Sequence, residues 1–181
     1  MALELKNIAI GGTTLSLGAY VTAGGAGSLT DVGLLKDGSE LNIAKEIYEV
    51  KSSSANGVLR AIPIDSTYEL KAILQEATLD NMRKALGQPS ANLTGTAPNK
   101  TLLVGDMAEE YFQGTVSTGG TGGTPATRLM TFWKLYVKAV ETLAFKKGQE
   151  QMYGITFGMV ADQSVATADK FYKVVDSGGV A

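Results

Sequence analysis

The sequence predicts a mainly β domain, a β-sandwich or open barrel with one short α-helix at about residues 78–87, and three observations carry that expectation. Residues 66–74 alternate Tyr68, Leu70, Ala72 and Leu74 with Thr67, Glu69, Lys71 and Ile73, the period of a half-buried antiparallel strand broken only by Ile73. Residues 129–140 are rich in aromatic and branched side chains suited to a pleated sheet. Twenty-two glycines and four prolines beside 44% hydrophobic residues describe a loop-rich chain that still has material for a core. At 181 residues that core serves one domain, 1–181.

In chain order, residues 3–10 read as an opening strand, Gly11-Gly12 as a turn and 13–21 as its return. The glycine-rich stretch 22–28 is a loop; it holds neither G-x-G-x-x-G nor a G-x-x-x-x-G-K-[ST] phosphate loop. Residues 29–35 form a short strand, Lys36-Asp37-Gly38-Ser39 a turn and 40–51 a longer strand. Its faces are mixed, with Asn42, Ala44, Glu46, Tyr48 and Val50 on one side and Leu41, Ile43, Lys45, Ile47 and Glu49 on the other. Such faces suit either a sheet edge in a monomer or the wall of a water-filled bore in a ring. After a bend at 52–57, residues 57–64 and 66–74 read as a hairpin turning at Asp65-Ser66. Thr78 caps a helix of about ten residues in which Leu79, Met82 and Leu86 share a face, Asp80 favours the first turn, and Gly87 with Pro89 stops it.

Residues 90–100 form a polar loop, 101–104 a short strand, 106–111 a helical turn or loop, and 112–116 a resumed strand. The stretch 117–125 (STGGTGGTP) has nothing bulky to bury and reads as an exposed loop or hairpin tip. In 129–140, Leu129, Trp133, Leu135 and Val137 fall on one face and Met130, Phe132, Tyr136 and Lys138 on the other, a central strand with Trp133 in the core. A turn at 146–151 leads to a return strand in which Tyr153, Ile155, Phe157 and Met159 alternate with Gly154, Thr156 and Gly158. Residues 171–175 form a last strand and 177–181 a frayed tail.

Composition narrows the chemistry. The chain has neither cysteine nor histidine, which removes disulfides, thiolates, sulfur-ligated metal and any Ser-His-Asp or Cys-His machinery, and suits folding in a reducing cytoplasm. The formal charge of −2 gives no basic excess for tight nucleic-acid binding. No run approaches a membrane span and Glu4 and Lys6 exclude a signal peptide, so the expectation is a soluble, unexported chain. The carboxylates Glu46 with Glu49 and Glu109 with Glu110 could in principle act as acid and base, but surface carboxylates are ubiquitous; no enzyme, cofactor or metal is expected. The sequons at Asn92 and Asn99 presuppose secretion and are read as chance.

The run Glu76-Ala77-Thr78-Leu79-Asp80-Asn81-Met82, closing a strand and opening a short helix, resembles the signature of the tail tube (major tail) proteins of long-tailed bacteriophages. The strand 128–138, the charged hairpin Lys146-Lys147-Gly148-Gln149-Glu150 and the strand 152–161 ending at Asp162 are similar to that family's C-terminal order. The resemblance implies a virion protein assembled in the bacterial cytoplasm, building stacked hexameric rings around a tape-measure protein. A terminator closes such a tube at the head end and a tip complex at the other, and DNA passes through without specific binding.

It also implies that strands from each subunit join into one inner barrel, which places the bore on residues 40–76. The candidate bore-lining or inter-subunit residues are Glu40, Asn42, Glu46, Glu49 and Glu69; the candidate inter-ring contacts are Lys146, Lys147, Gly119, Gly120, Gly122 and Gly123. A bore that lets DNA slide is expected to be poor in Lys and Arg, since each phosphate contact adds drag. The alternative is a non-enzymatic β-sandwich that binds carbohydrate or decorates a capsid.

Overall fold

The computed structural model describes residues 12–22, 27–51, 57–106, 110–119, 127–141, 143, 150–165 and 170–177. The elements run β1 (Thr13–Ala19), β2 (Thr30–Asp31), β3 (Leu35–Lys51), β4 (Val58–Leu74), α1 (Leu79–Ala85), a 3-10 turn (Ser90–Asn92), β5 (Leu93–Thr96) and β6 (Asn99–Leu102). They continue with β7 (Tyr111–Thr118), β8 (Thr127–Val140), β9 (Tyr153–Met159) and β10 (Tyr172–Ser177). The expected opening strand at 3–10 lies outside the described residues. Eight strands form one antiparallel sheet in the order β2-β1-β7-β8-β9-β4-β3, with β10 on the same edge of β8 as β9 but further along it. β5 and β6 pair as a separate hairpin.

The mainly β expectation holds, and the architecture is the open one: no hydrogen bonds join β1 to β3 among the described residues. One face of the curled sheet carries the core. Leu15 and Leu17 of β1, Leu70 and Leu74 of β4, Phe112 and Val116 of β7, Phe132 and Leu135 of β8, and Ile155 and Phe157 of β9 are buried there with Ala85 of α1. Burying these side chains is the main force holding the sheet's curl. β9 is the strand covered on both sides. Its Gly154 and Gly158 make room for Glu141 and Tyr136 of the β8 side to lie across it, and a Cβ at either glycine would collide with them.

Several expectations are corrected by bulges. Lys36-Asp37-Gly38-Ser39 is not a turn: β3 runs through it, with Asp37 and Gly38 as extra residues at φ 60° and 78° between the pairs Lys36–Ile73 and Ser39–Ala72. The strand expected at 29–35 shrinks to the two residues of β2. Asp65-Ser66 is not a turn either, because β4 is one strand of 17 residues; the irregularity is Ile64, bulged between Asp65 and Pro63 opposite Glu46 and Ile47. Pro63 is tolerated because it sits beside that bulge. The hairpin is therefore β3 with β4, connected through 52–56, residues outside the described set.

In β8 the alternation changes phase. Gln113 of β7 faces two residues, Trp133 and Lys134, so Met130 and Phe132 point to the core before the bulge while Leu135 and Val137 do so after it. The faces expected from strict alternation are thus each half right. Trp133 lies half-buried at the bulge rather than in the core, its indole nitrogen buried without an acceptor among the described residues.

The helix begins as expected, with Thr78 Oγ1 accepting from the Asn81 amide at 3.1 Å, and ends in a left-handed Gly87 at φ 61°. The amides of Gly87 and Gln88 return to the carbonyls of Lys84 and Arg83, a Schellman stop that limits the helix to seven residues. Its buried face is not the expected one. Leu79, Met82 and Leu86 are half-buried, whereas Asn81, Arg83 and Lys84 are buried.

These buried groups are bound into an internal network, in which Lys84 is held by its ion pair rather than by a well-directed hydrogen bond. Asp80 holds Arg83 Nε at 3.1 Å and Lys84 Nζ at 2.7 Å, Arg83 Nη1 donates to the Gln88 carbonyl, and Asn81 donates to the carbonyls of Val32 and Glu76. Gln88 in turn accepts from Asn92 and Gly105 through Oε1, tying the β5–β6 hairpin to the helix. The expected loop at 90–100 is therefore ordered structure. Gly95 sits there at φ 88°, where a Cβ would run into the Asn99 carbonyl. Gly95→Ala is expected to cost about 2–3 kcal/mol, lowering Tm by roughly 4–10 °C; an unchanged melting curve would refute this.

Candidate functional site

The feature that core packing does not explain is the far half of the β3–β4 hairpin. β9 pairs with β4 only from Glu69 to Leu74, so residues 43–51 and 58–68 continue past the sheet as a two-stranded ribbon. Apolar groups on it are open to solvent: Ile47 is 53% exposed, Tyr48 59%, Leu59 62% and Ile64 60%. Both outer edges of the ribbon, that of β3 and that of β4 before Glu69, are unpaired among the described residues. A long unpaired strand with exposed apolar side chains invites pairing with another chain.

Cross-strand register sorts the candidate residues by face. Glu40 is opposite Lys71, Asn42 opposite Glu69, Ala44 opposite Thr67 and Glu46 opposite Asp65, so all of these share the face away from the core residues Leu41 and Leu70. Glu49 falls on the other face, opposite Ala61 and paired with Lys51 at 3.4 Å, which separates it from Glu40, Asn42, Glu46 and Glu69. Lys138, pushed out by a second β8 bulge, reaches across β9 to Glu69. Its hydrogen bond holds the Glu69 carboxyl below its ordinary pKa, and Glu69 raises Lys138 in return. One basic group on this face is thus paired with a carboxylate, while Lys71, opposite Glu40, and Arg60, opposite Val50, also lie on it. Sequence reading missed Lys138 because nothing in its spacing announces a bulge.

Of the candidate inter-ring residues, Gly119 follows β7, donates to the Gly12 carbonyl at 3.2 Å and has open space where a Cβ would stand. Gly120, Gly122, Gly123, Lys146 and Lys147 lie outside the described residues. Beyond Ile64 the carboxylates end, and Tyr48, Val50, Ile62 and the exposed Arg60 follow on the same face.

Two further polar features complete the surface. An open cleft of about 660 Å³ separates β1 from the start of β3, with Asp31, Asp37 and Glu76 on its walls and Leu34 on its rim. Among the described residues no three acidic side chains are placed to hold a metal ion. At the far end of β9, Asp162 is 4% exposed and accepts from Tyr20 Oη at 2.9 Å and from the Ser164 amide and hydroxyl at 2.9 and 2.7 Å. Burial pushes its pKa up, but the Ser164 and Tyr20 bonds and the Lys134 charge outweigh that and hold it below the ordinary value. Lys134 Nζ stands 4.1 Å above the Tyr111 ring and 5.2 Å from that of Tyr20, a cation–π stack that the first β8 bulge makes possible. No helix among the described residues is long and apolar enough to cross a membrane.

No family model and no curated protein matches the sequence. Among solved structures, the fold is similar to that of a chain in the cryo-EM structure of the anti-feeding prophage (AFP) baseplate, which was 6-fold symmetrised. The TM-score is 0.51 at 8% sequence identity, and the match covers 98% of each chain. At that identity the likeness is one of fold, and it extends over the whole mainly β domain.

Proposed function

We propose that this chain is a non-enzymatic structural subunit of a phage-type tail, a tail tube protein that closes into hexameric rings and stacks into a hollow conduit for DNA. The observation that carries this reading is the β3–β4 ribbon: two long strands with free edges and exposed apolar groups, extended beyond the sheet that would otherwise cover them. Closure of a ring removes such edges, and rotation by a fixed angle from one copy to the next does so without limit on the stacking direction. The sequence resemblance to tail tube proteins and the fold shared with a chain of a symmetrised phage-derived baseplate both favour this reading. The face bearing Glu40, Asn42, Glu46 and Glu69 suits a bore in so far as Lys138 is paired with Glu69 and the carboxylates, with Asp65, outnumber the cations Lys71, Arg60 and Lys138. Tape-measure, terminator and tip proteins are the partners such a tube would meet.

Negative-stain electron microscopy over a concentration series, with light scattering for mass, tests the proposal. Six-fold rings or tubes whose lumen is lined by that face are the expected result. A monomer at every concentration would overturn it and favour a carbohydrate-binding or capsid-decorating module.

A further inference from the structure

We propose that Tyr68 sets how many copies close a ring: its stack on Phe171 and Tyr172 fixes the angle between the β3–β4 ribbon and the body of the subunit, a role that rests on the ring reading. In a closed ring every subunit is turned from its neighbour by the same angle, about 60° for six copies and about 51° for seven. A swing of the ribbon by roughly 9° therefore separates the two. A two-stranded ribbon is marginal in water when nothing covers it, so the discrimination has to come from its root.

The root is where β9 ends. β9 accompanies β4 from Leu74 only as far as Glu69, and beyond that point no strand of the body pairs with the ribbon among the described residues. A place where the covering strand stops is where such an element swings. Two side-chain contacts grip β4 there, one residue apart and on opposite faces. On the core side, Tyr68 lies against Phe171 with ring centroids 4.5 Å apart and an interplanar angle of 32°, and against Tyr172 at 6.0 Å and 65°. On the carboxylate side, Lys138 reaches across β9 to Glu69. The stack resists a swing toward the carboxylate face, and the ion pair resists one toward the core.

The stack has a firm base. The Trp133 amide donates to the Phe171 carbonyl at 3.3 Å and the Asp162 amide to that of Lys170 at 2.9 Å. Tyr172 pairs with Phe132 in the β8–β10 ladder, and its ring stands 6.0 Å from that of the fully buried Phe132. Tyr68 is thereby tied through Tyr172 to the core. The Lys138–Glu69 pair is partly exposed and adds little by itself, so the tilted and edge-on ring contacts carry the greater share. Tyr68 is a positioning residue, and the role needs no contact between it and a second copy.

Tyr68→Ala removes the stack. Its rings, sorted by symmetry in negative-stain electron microscopy, are expected to spread over several copy numbers or to stay open. Assembly followed by light scattering should need on the order of tenfold more protein, because the joint is no longer preorganised. Tyr68→Phe keeps a ring to stack and should restore one symmetry. Gly95→Ala, which destabilises the β5–β6 hairpin rather than the ribbon, should also keep one symmetry. Rings of unaltered symmetry from Tyr68→Ala overturn the inference and leave the ring reading standing. An equal spread in Gly95→Ala overturns it too, since the effect would then be one of general stability. Should Tyr68→Ala fail to fold, Tyr68→Leu, apolar but without a ring, is read in the same way. Failure of the unaltered protein to form rings overturns both readings.

Discussion

Replacing Phe157 by alanine is expected to lower stability by about 3–5 kcal/mol, the usual cost of emptying an aromatic site in a core that cannot collapse around the gap. Phe157 is fully buried on β9 and stands between Leu70 of β4 and Val137 of β8, its register partners on either side. Its ring also meets Phe112 of β7 edge-on, with centroids 6.2 Å apart. Three strands therefore lose a common neighbour. Denaturant unfolding should show a lower midpoint with an unchanged slope. An exposed ribbon residue such as Ile64, truncated likewise, should change the monomer's stability by no more than about 0.5 kcal/mol. Equal effects at the two positions would show that the core has been misplaced.

The second large effect is expected at Asp80. One carboxylate serves two cations whose side chains are only 9% and 3% exposed, so Asp80→Asn leaves Arg83 and Lys84 charged, buried and without a counter-ion. Breaking a buried pair in this way costs about 3–5 kcal/mol, and the partial exposure of Asp80 itself reduces that to about 2–3 kcal/mol. The pH dependence gives a separate check. Burial raises the Asp80 pKa, but Lys84 and Arg83 outweigh burial and hold it below the ordinary value. A depressed folded-state pKa contributes stability that is complete above the unfolded value of about 3.9 and disappears as pH falls through the lower folded value. Wild type and variant should thus differ most at neutral pH and converge in acid. A gap that persists below both pKa values would rule out the ion pairs as its source.

How much of this was legible in the sequence depended on whether a signal was local. The cap at Thr78 and the stop at Gly87 were readable because each works within one helical turn. The buried side of α1 was not, since apolar spacing favoured Leu79, Met82 and Leu86, while the deciding factor was a distant set of carbonyls and carboxylates able to satisfy Asn81, Arg83 and Lys84. Turn chemistry misled at Asp37-Gly38 and Asp65-Ser66: the same residues that reverse a chain also permit a bulge, and the long partner strand decides between the two. Glu40, Asn42, Glu46 and Glu69 were assigned to one region, and register puts them on one face; Glu49 lay on the other side by its own parity. Lys138 and the Asp162 cluster depend on contacts between segments far apart in the chain and left no trace in spacing.

The extra residue at Trp133-Lys134 carries a consequence for how this chain can diverge. Inward and outward positions of β8 exchange roles there, so the strand's hydrophobic text is written in two reading frames joined at one letter. A homologue one residue shorter at that point could keep every propensity and nearly the same composition, yet its second half would turn Leu135 and Val137 outward and Tyr136 inward. Gaps in this stretch are therefore far less neutral than substitutions, and any two relatives that fold alike must conserve the count of residues here even where they conserve none of the letters.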